Sequence, residues 1–182
     1  MIAGIEWAVS QGIKIANMSL GADAGSEPLH RAVQAALKAG MIIVAAAGNS
    51  GGAVGYPGAY PETIAVGASD DKDHAADFSS RGPEVDFIAP GVDVLSDKLG
   101  GGTVKLSGTS MATPHMTGLA ALSVGAGANS PSAIRAALSR AAKPLAGLTP
   151  AMQGRGLVLA GNILKPGARM EDGGSQLALQ GR

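Results

Sequence analysis

Residues Gly108 to His115 read GTSMATPH and set one serine, Ser110, between a glycine-threonine lead-in and a run of small, helix-compatible residues. The lead-in from Gly101 to Gly108 reads as a glycine turn, a short strand and a second turn that opens a helix at Ser110. Pro114 lies about one turn further on and reads as a first-turn proline, whose missing N–H costs no intrahelical bond. A hydroxyl at a helix start sits beside unpaired backbone N–H groups carrying about half a unit of positive charge. That setting favours the negative charge created when a nucleophile attacks a carbonyl. Serine is also a common N-cap for hydrogen-bonding reasons alone, so the octapeptide by itself leaves both readings open. Ala112, Thr113, Thr117, Gly118, Ala120 and Ala121 are small enough for other elements to close on this helix and hold the hydroxyl rigidly.

Asn49 is the second candidate. Met41 to Ala47 form an apolar run typical of a strand buried on both faces, and Gly48 to Gly51 end it. An asparagine in a turn usually serves left-handed backbone geometry or a local hydrogen bond. At the carboxyl end of a parallel strand it also lies where open α/β sheets bind ligands. Its amide can then donate to an oxyanion alongside the Ser110 N–H. Acyl transfer by serine needs a proton acceptor as well. His115 is five residues beyond Ser110, a rotation of about 140° and a rise of about 7.5 Å along a helix, which turns it away. His30 follows Pro28 on an expected helix and reads as a solvated surface residue, and His74 lies in the polar loop Asp70 to His74.

The elements that must carry these groups alternate. Ile2 to Ser10 carries a helical apolar stripe closed by Gly12, and Ile13 to Leu20 reads as a strand. Ser26, Glu27 and Pro28 supply a cap, a first-turn acid and a first-turn proline for a helix through Lys38, stopped by Gly40. Met41 to Ala47, Thr63 to Ala68 and Val85 to Ala89 follow as strands, Ser132 to about Ala142 as a helix behind Ser130 and Pro131, and Gly156 to Ala160 as a short strand. Helices alternating with short apolar strands predict an α/β fold, a mostly parallel sheet with helices on both faces.

Five segments in this order resemble the subtilisin-like serine proteases, the subtilases: Ala16 to Gly21, Ala45 to Gly51, Gly55 to Ala68, Phe78 to Gly91 and Gly108 to His115. The resemblance implies a subtilisin-like fold, Ser110 as nucleophile and Asn49 as oxyanion donor. It also implies that Ser19, Leu20 and Gly21 pair with an extended peptide, and that Ala46, Ala47, Gly48 and Gly55 line the primary specificity pocket. Lined by small residues, that pocket is expected to be open and uncharged and to take a large apolar side chain. The resemblance runs from about Ile2 to Asn162, so residues 1–165 are expected to form a partial catalytic domain. The DTG-type and HGT-type motifs that carry the family's aspartate and histidine are not in this sequence, so the fold is expected without its N-terminal strands. The loop Gly58, Tyr60, Thr63 falls where many subtilases bind a structural calcium or other cation through backbone carbonyls; no cofactor is required. The Asp70, Asp71, Asp73 cluster lacks EF-hand spacing and reads as a solvated acidic loop.

Composition narrows the function classes. The chain has 182 residues, 46% hydrophobic, without repeats. No segment reaches the ~18 apolar residues that span a bilayer, and no signal peptide opens the chain, although family members are often secreted. Fourteen basic and fourteen acidic residues, with one Trp, two Tyr and two Phe, make no case for nucleic acid. The absence of cysteine excludes disulfides and a thiol nucleophile. Pro166 to Arg182, glycine-rich and polar, reads as a disordered tail. Two functions emerge: a serine endopeptidase that needs its missing half, and a non-catalytic protein that binds peptides or a partner chain. An exposed sheet edge and a net charge near zero predict self-association or dependence on that half.

Overall fold

The computed structural model describes residues 1–164, so the tail expected beyond Pro166 lies outside them. The elements run α1 (Ile2–Ser10), β1 (Ile15–Met18), α2 (Glu27–Lys38), β2 (Ile42–Ala46), β3 (Ile64–Ser69), β4 (Val85–Pro90), β5 (Val94–Asp97), β6 (Thr103–Leu106), α3 (Thr109–Gly125), α4 (Pro131–Ala141), β7 (Ala142–Lys143), α5 (Pro150–Gln153), β8 (Leu157–Val158) and α6 (Ala160–Ile163). The expected punctuation holds. Ser26 Oγ accepts from Leu29 N–H and Ser130 Oγ from Ala133 N–H, capping α2 and α4. Gly12 and Gly40 end α1 and α2 at φ +69° and +87°, a region that costs glycine little.

The main sheet has the order β1-β2-β3-β4-β8-β7. β1 to β4 run parallel, β8 continues parallel to β4, and β7 is antiparallel to β8. Its two faces follow from the two-residue period of β2. Ile42 and Val44 join Ile64, Val66 and Phe87 under Ala112, Met116 and Ala120 of α3 and Ile134 and Leu138 of α4. Ile43 and Ala45 point the other way, onto Ile5 of α1 and Leu29, Val33 and Ala36 of α2. All five residues of β2 are therefore buried, as the unbroken apolar run requires.

Helix α3 crosses the sheet over β1 to β4. Its start can come so close because Gly91 has no side chain: a Cβ there would meet Ala68 Cβ at 2.6 Å and Gly108 O at 2.9 Å. Four elements escape the sequence reading: the strands β5 and β7 and the four-residue helices α5 and α6. β5 pairs antiparallel with β6 as a hairpin outside the main sheet, and β7 is only two residues long. Both are short, half-exposed pieces without an apolar run to mark them.

Candidate active site

Ser110 is the second residue of α3, and Gly108, not Ser110, is the N-cap. The capping reading of this serine is thereby overturned. In the first helical turn its N–H has no intrahelical acceptor. Its hydroxyl donates to the Ser19 carbonyl at 3.1 Å, and the Ser19 hydroxyl donates back to the Ser110 carbonyl at 2.8 Å. The second bond has a local cause that corrects the expectation for Pro114. Proline is the sixth residue of α3, inside the helix, so the N–H that would satisfy the Ser110 carbonyl is missing. The Ser19 hydroxyl supplies that donor from the end of β1.

A side-chain relay fixes Ser19 in turn. Asn17 Nδ2 donates to Ser19 Oγ at 3.0 Å, and Thr117 Oγ1 donates to Asn17 Oδ1 at 2.9 Å. Strand β1 and helix α3 are thus joined at two levels, about two turns apart on the helix. The sequence reading missed Asn17 and Thr117 in this role, because hydrogen bonds between residues 100 positions apart leave no local pattern.

Asn49 follows β2 and faces the same helix start. Its Oδ1 accepts from Thr109 N–H at 2.8 Å and from Thr109 Oγ1 at 2.9 Å. With the oxygen held by two donors, the amide NH2 points the other way and is free to donate. The turn before it requires glycine: Gly48 has φ +114°, and a Cβ there would lie 2.8 Å from Ser80 Oγ. Gly48 N–H donates to Thr109 Oγ1 at 3.2 Å, so Thr109, buried and absent from the sequence-derived site, ties the oxyanion turn to the helix.

Ser110 and Asn49 line one cavity of about 210 Å³. Of the residues expected around it, Leu20, Gly21, Ala46, Gly48 and Gly55 line it, and Ser19 stands beside it through Ser110. Ala47 does not. Its side chain is buried with Val54, Ala65 and Val85, because alternate residues at the end of β2 face opposite sides, and only its carbonyl reaches Gly55 N–H at 2.9 Å. The expectation of an uncharged pocket fails, since Asp23 is among the lining residues.

None of the three histidines lines this cavity. His115 Nδ1 bonds Met111 O at 2.8 Å on the outer side of α3. His74 pairs with Asp70 in the polar loop, as expected; the Asp70 carboxylate also accepts the His74 and Lys72 N–H groups, which hold it below the usual carboxylate range. His30 is not simply solvated. It stacks on Tyr60 with ring centroids 4.3 Å apart and meets Glu62 at 2.9 Å. Burial pushes Glu62 up, but hydrogen bonds from Gln34 and His30 outweigh it and leave the carboxyl low.

In the loop expected to hold a cation, the carbonyls of Pro57, Gly58 and Tyr60 surround the buried Thr63 hydroxyl at 2.9 to 3.1 Å. That hydroxyl fills the point where the carbonyls converge, so this arrangement does not fit an ion. Among the described residues no three His, Asp, Glu or Cys side chains gather as a metal cluster, and no helix is long and apolar enough to cross a membrane.

Comparison with known proteins agrees with this geometry. The subtilase family profile matches residues 1–159. Alkaline elastase YaB of Bacillus sp. (strain YaB) is 50% identical over 120 residues, 65% of this chain and 32% of that protein. Subtilisin of Bacillus pumilus is 49% identical over 127 residues, 67% of this chain and 46% of its own length. The chain therefore spans between a third and a half of these relatives. Among solved structures, the patellamide maturation protease PatA superposes with a TM-score of 0.79 at 37% identity, covering 89% of this chain and 65% of that one. The prenylagaramide maturation protease PagA gives 0.79 at 32% identity, with 89% and 64% covered. A parallel α/β sheet with helices on both faces, a serine in the first turn of its central helix and a family match over nearly the whole described chain lead to one conclusion: this chain belongs to the subtilase family of serine proteases.

Proposed function

We propose that this chain carries the nucleophile and oxyanion-binding half of a subtilisin-type serine endopeptidase. One observation carries the reading: Ser110 and Asn49 line the same cavity, and the asparagine is held through its Oδ1 so that its NH2 can donate. In this mechanism Ser110 Oγ leaves the Ser19 carbonyl and attacks the scissile carbonyl carbon. Its proton passes to a base outside the described cavity. The carbonyl oxygen, now negative, accepts from the Ser110 N–H and Asn49 Nδ2. Collapse breaks the C–N bond, the amine leaves with a proton, and water later releases the acyl group from Ser110.

The base is the part this chain does not place at the cavity. An imidazole and its orienting carboxylate would come from a partner segment seated beside β1, the end strand of the sheet, and against the neighbouring side of α3. By this reading the chain alone turns over little, and polypeptide is its substrate once completed. Residues 1–165 would form the partial catalytic domain, and either that segment or a second copy would occupy the open edge. A cation role in the Gly58 to Thr63 loop has no part in the mechanism.

A second reading keeps the cleft as a peptide-binding surface without chemistry. The observation in its favour is that the Ser110 proton is engaged by a backbone carbonyl and no histidine reaches it. Labelling with a fluorophosphonate separates the two, because only an activated serine reacts. Endopeptidase function predicts labelling once an N-terminal segment carrying the HGT-type and DTG-type motifs is added, and none for Ser110→Ala. A cleft that binds peptides yet never labels in the completed complex supports the second reading.

A further inference from the structure

The cavity beside Ser110 holds a single charge: Asp23 lines it, and no Lys, Arg or His does. Asp23 forms no ion pair or hydrogen bond with any described residue. Its place is nonetheless fixed by its neighbours. Ala22 exchanges two backbone hydrogen bonds with Tyr56, N–H to carbonyl at 2.9 Å and carbonyl from N–H at 2.8 Å. A Cβ on Gly55 would come within 3.2 Å of the Ala22 carbonyl, and one on Gly21 within 3.1 Å of the Tyr56 carbonyl. This packing holds the backbone from Gly21 to Ala22 against Gly55 and Tyr56, so that Asp23 follows from a fixed point on the cavity's rim.

Leu20, Ala22, Ala46 and Ala53 give the apolar part of the lining, and Asn49, Ser50, Ser80, Thr109 and Ser110 bring the amide and hydroxyls. A mostly polar chamber with one carboxylate that has no partner among the described residues suits a side chain that presents a cation. We infer that Asp23 is a specificity-determining residue and that the cavity selects a lysine or arginine side chain over a neutral one of similar size. The inference rests on the proposed function only in taking this cavity as the subsite for the residue before the scissile bond. It replaces the large apolar preference expected from the small lining residues alone.

The effect is modest, since Asp23 is exposed to solvent, and exposed ion pairs are weak and screened by salt. A preference of about three- to fivefold is expected.

The test is a titration of the full chain with benzamidine and with benzamide, which share a shape and differ in charge, followed through the amide NMR signals of Gly48, Gly55 and Ser110. Benzamidine is expected to bind about three- to fivefold tighter at low salt. Asp23→Asn and Asp23→Ala should both equalise the two ligands. Equal affinities in the unaltered chain, no saturable binding of either ligand, or a preference that survives Asp23→Asn overturns the inference. This readout reports ligand binding and needs no acylation of the Ser110 hydroxyl. An intact cation preference without fluorophosphonate labelling in the complex completed by the N-terminal segment would sink the catalytic reading alone.

Discussion

The two sides of helix α3 differ sharply. Its start is locked to both neighbouring strands: Ser110 to Ser19, Thr117 to Asn17, and Thr109 to Asn49 and Gly48. A few residues further on, Pro114, His115, Gly118 and Leu122 are exposed along an apolar groove of about 720 Å³ that Leu157 to Gly161 complete. One side is organised to hold a hydroxyl and an amide in place, and the other presents apolar surface toward β4 and β8, away from the edge strand β1. Preorganisation of a nucleophile is thus separable from provision of its base. On the proposed function, the first needs only the hydrogen bonds of this chain, and the second a base brought to the edge strand β1.

That contrast can be broken by mutation, beginning with the largest effect. Met116→Ala, on the fully buried face of α3, should cost about 2 to 5 kcal/mol in urea unfolding, whereas Leu122→Ala on the open side should stay within about 0.5 kcal/mol. Comparable losses at the two positions would mean that the groove is packed in solution. Gly48→Ala combines a strained φ with a clash on Ser80 Oγ and should cost about 1 to 3 kcal/mol, with the cavity amide signals displaced in NMR. A neutral Gly48→Ala would show that the oxyanion turn is loosely held.

Ser19→Ala sharpens the comparison further. It leaves the Ser110 carbonyl without a donor and should cost about 1 to 3 kcal/mol. The same change in a Pro114→Ala background should cost less, because alanine restores the helical N–H. A double-mutant cycle by thermal unfolding measures the difference, and additive losses would refute the exchange of donors. The smallest effect lies away from both sides, on the outer face of α2. Because the folded Glu62 carboxyl is held low, its contribution is present above the unfolded value of about 4.3 and is lost as pH falls through the folded value. The Tm difference between the unaltered chain and Glu62→Gln should therefore narrow on acidification, and a widening gap would reverse the sign.

Much of the fold is legible in the sequence where a physical rule acts locally. The Ser26 and Ser130 caps, the Gly12 and Gly40 stops and the apolar run of β2 each specify their element from adjacent residues. Ser110 and Asn49 were legible as a pair because each falls at an element end, where backbone donors and turn residues leave their mark. Pro114 was misplaced because one residue of helix start, Thr109 instead of Ser110, together with a donor 91 positions away at Ser19, decides whether its missing N–H matters. Asp23 escaped the sequence reading, and Ala47 was misplaced, for a related reason. Which side chain enters a cavity depends on the facing of each strand end and on long-range backbone pairing such as that of Ala22 with Tyr56, which spacing along the chain does not encode.

The most direct test of the central claim is the rate at which a fluorophosphonate modifies Ser110, read by peptide mass after the chain is combined with a segment supplying the histidine and aspartate. Stoichiometric modification at Ser110, abolished in Ser110→Ala and slowed in Asn49→Ala, is the predicted result. For the asparagine the expected factor is about 10² to 10³, a magnitude measured on a subtilisin itself and carried over to this chain. Modification at another serine, or at a rate indifferent to Asn49→Ala, would contradict the claim that these two groups act on one carbonyl.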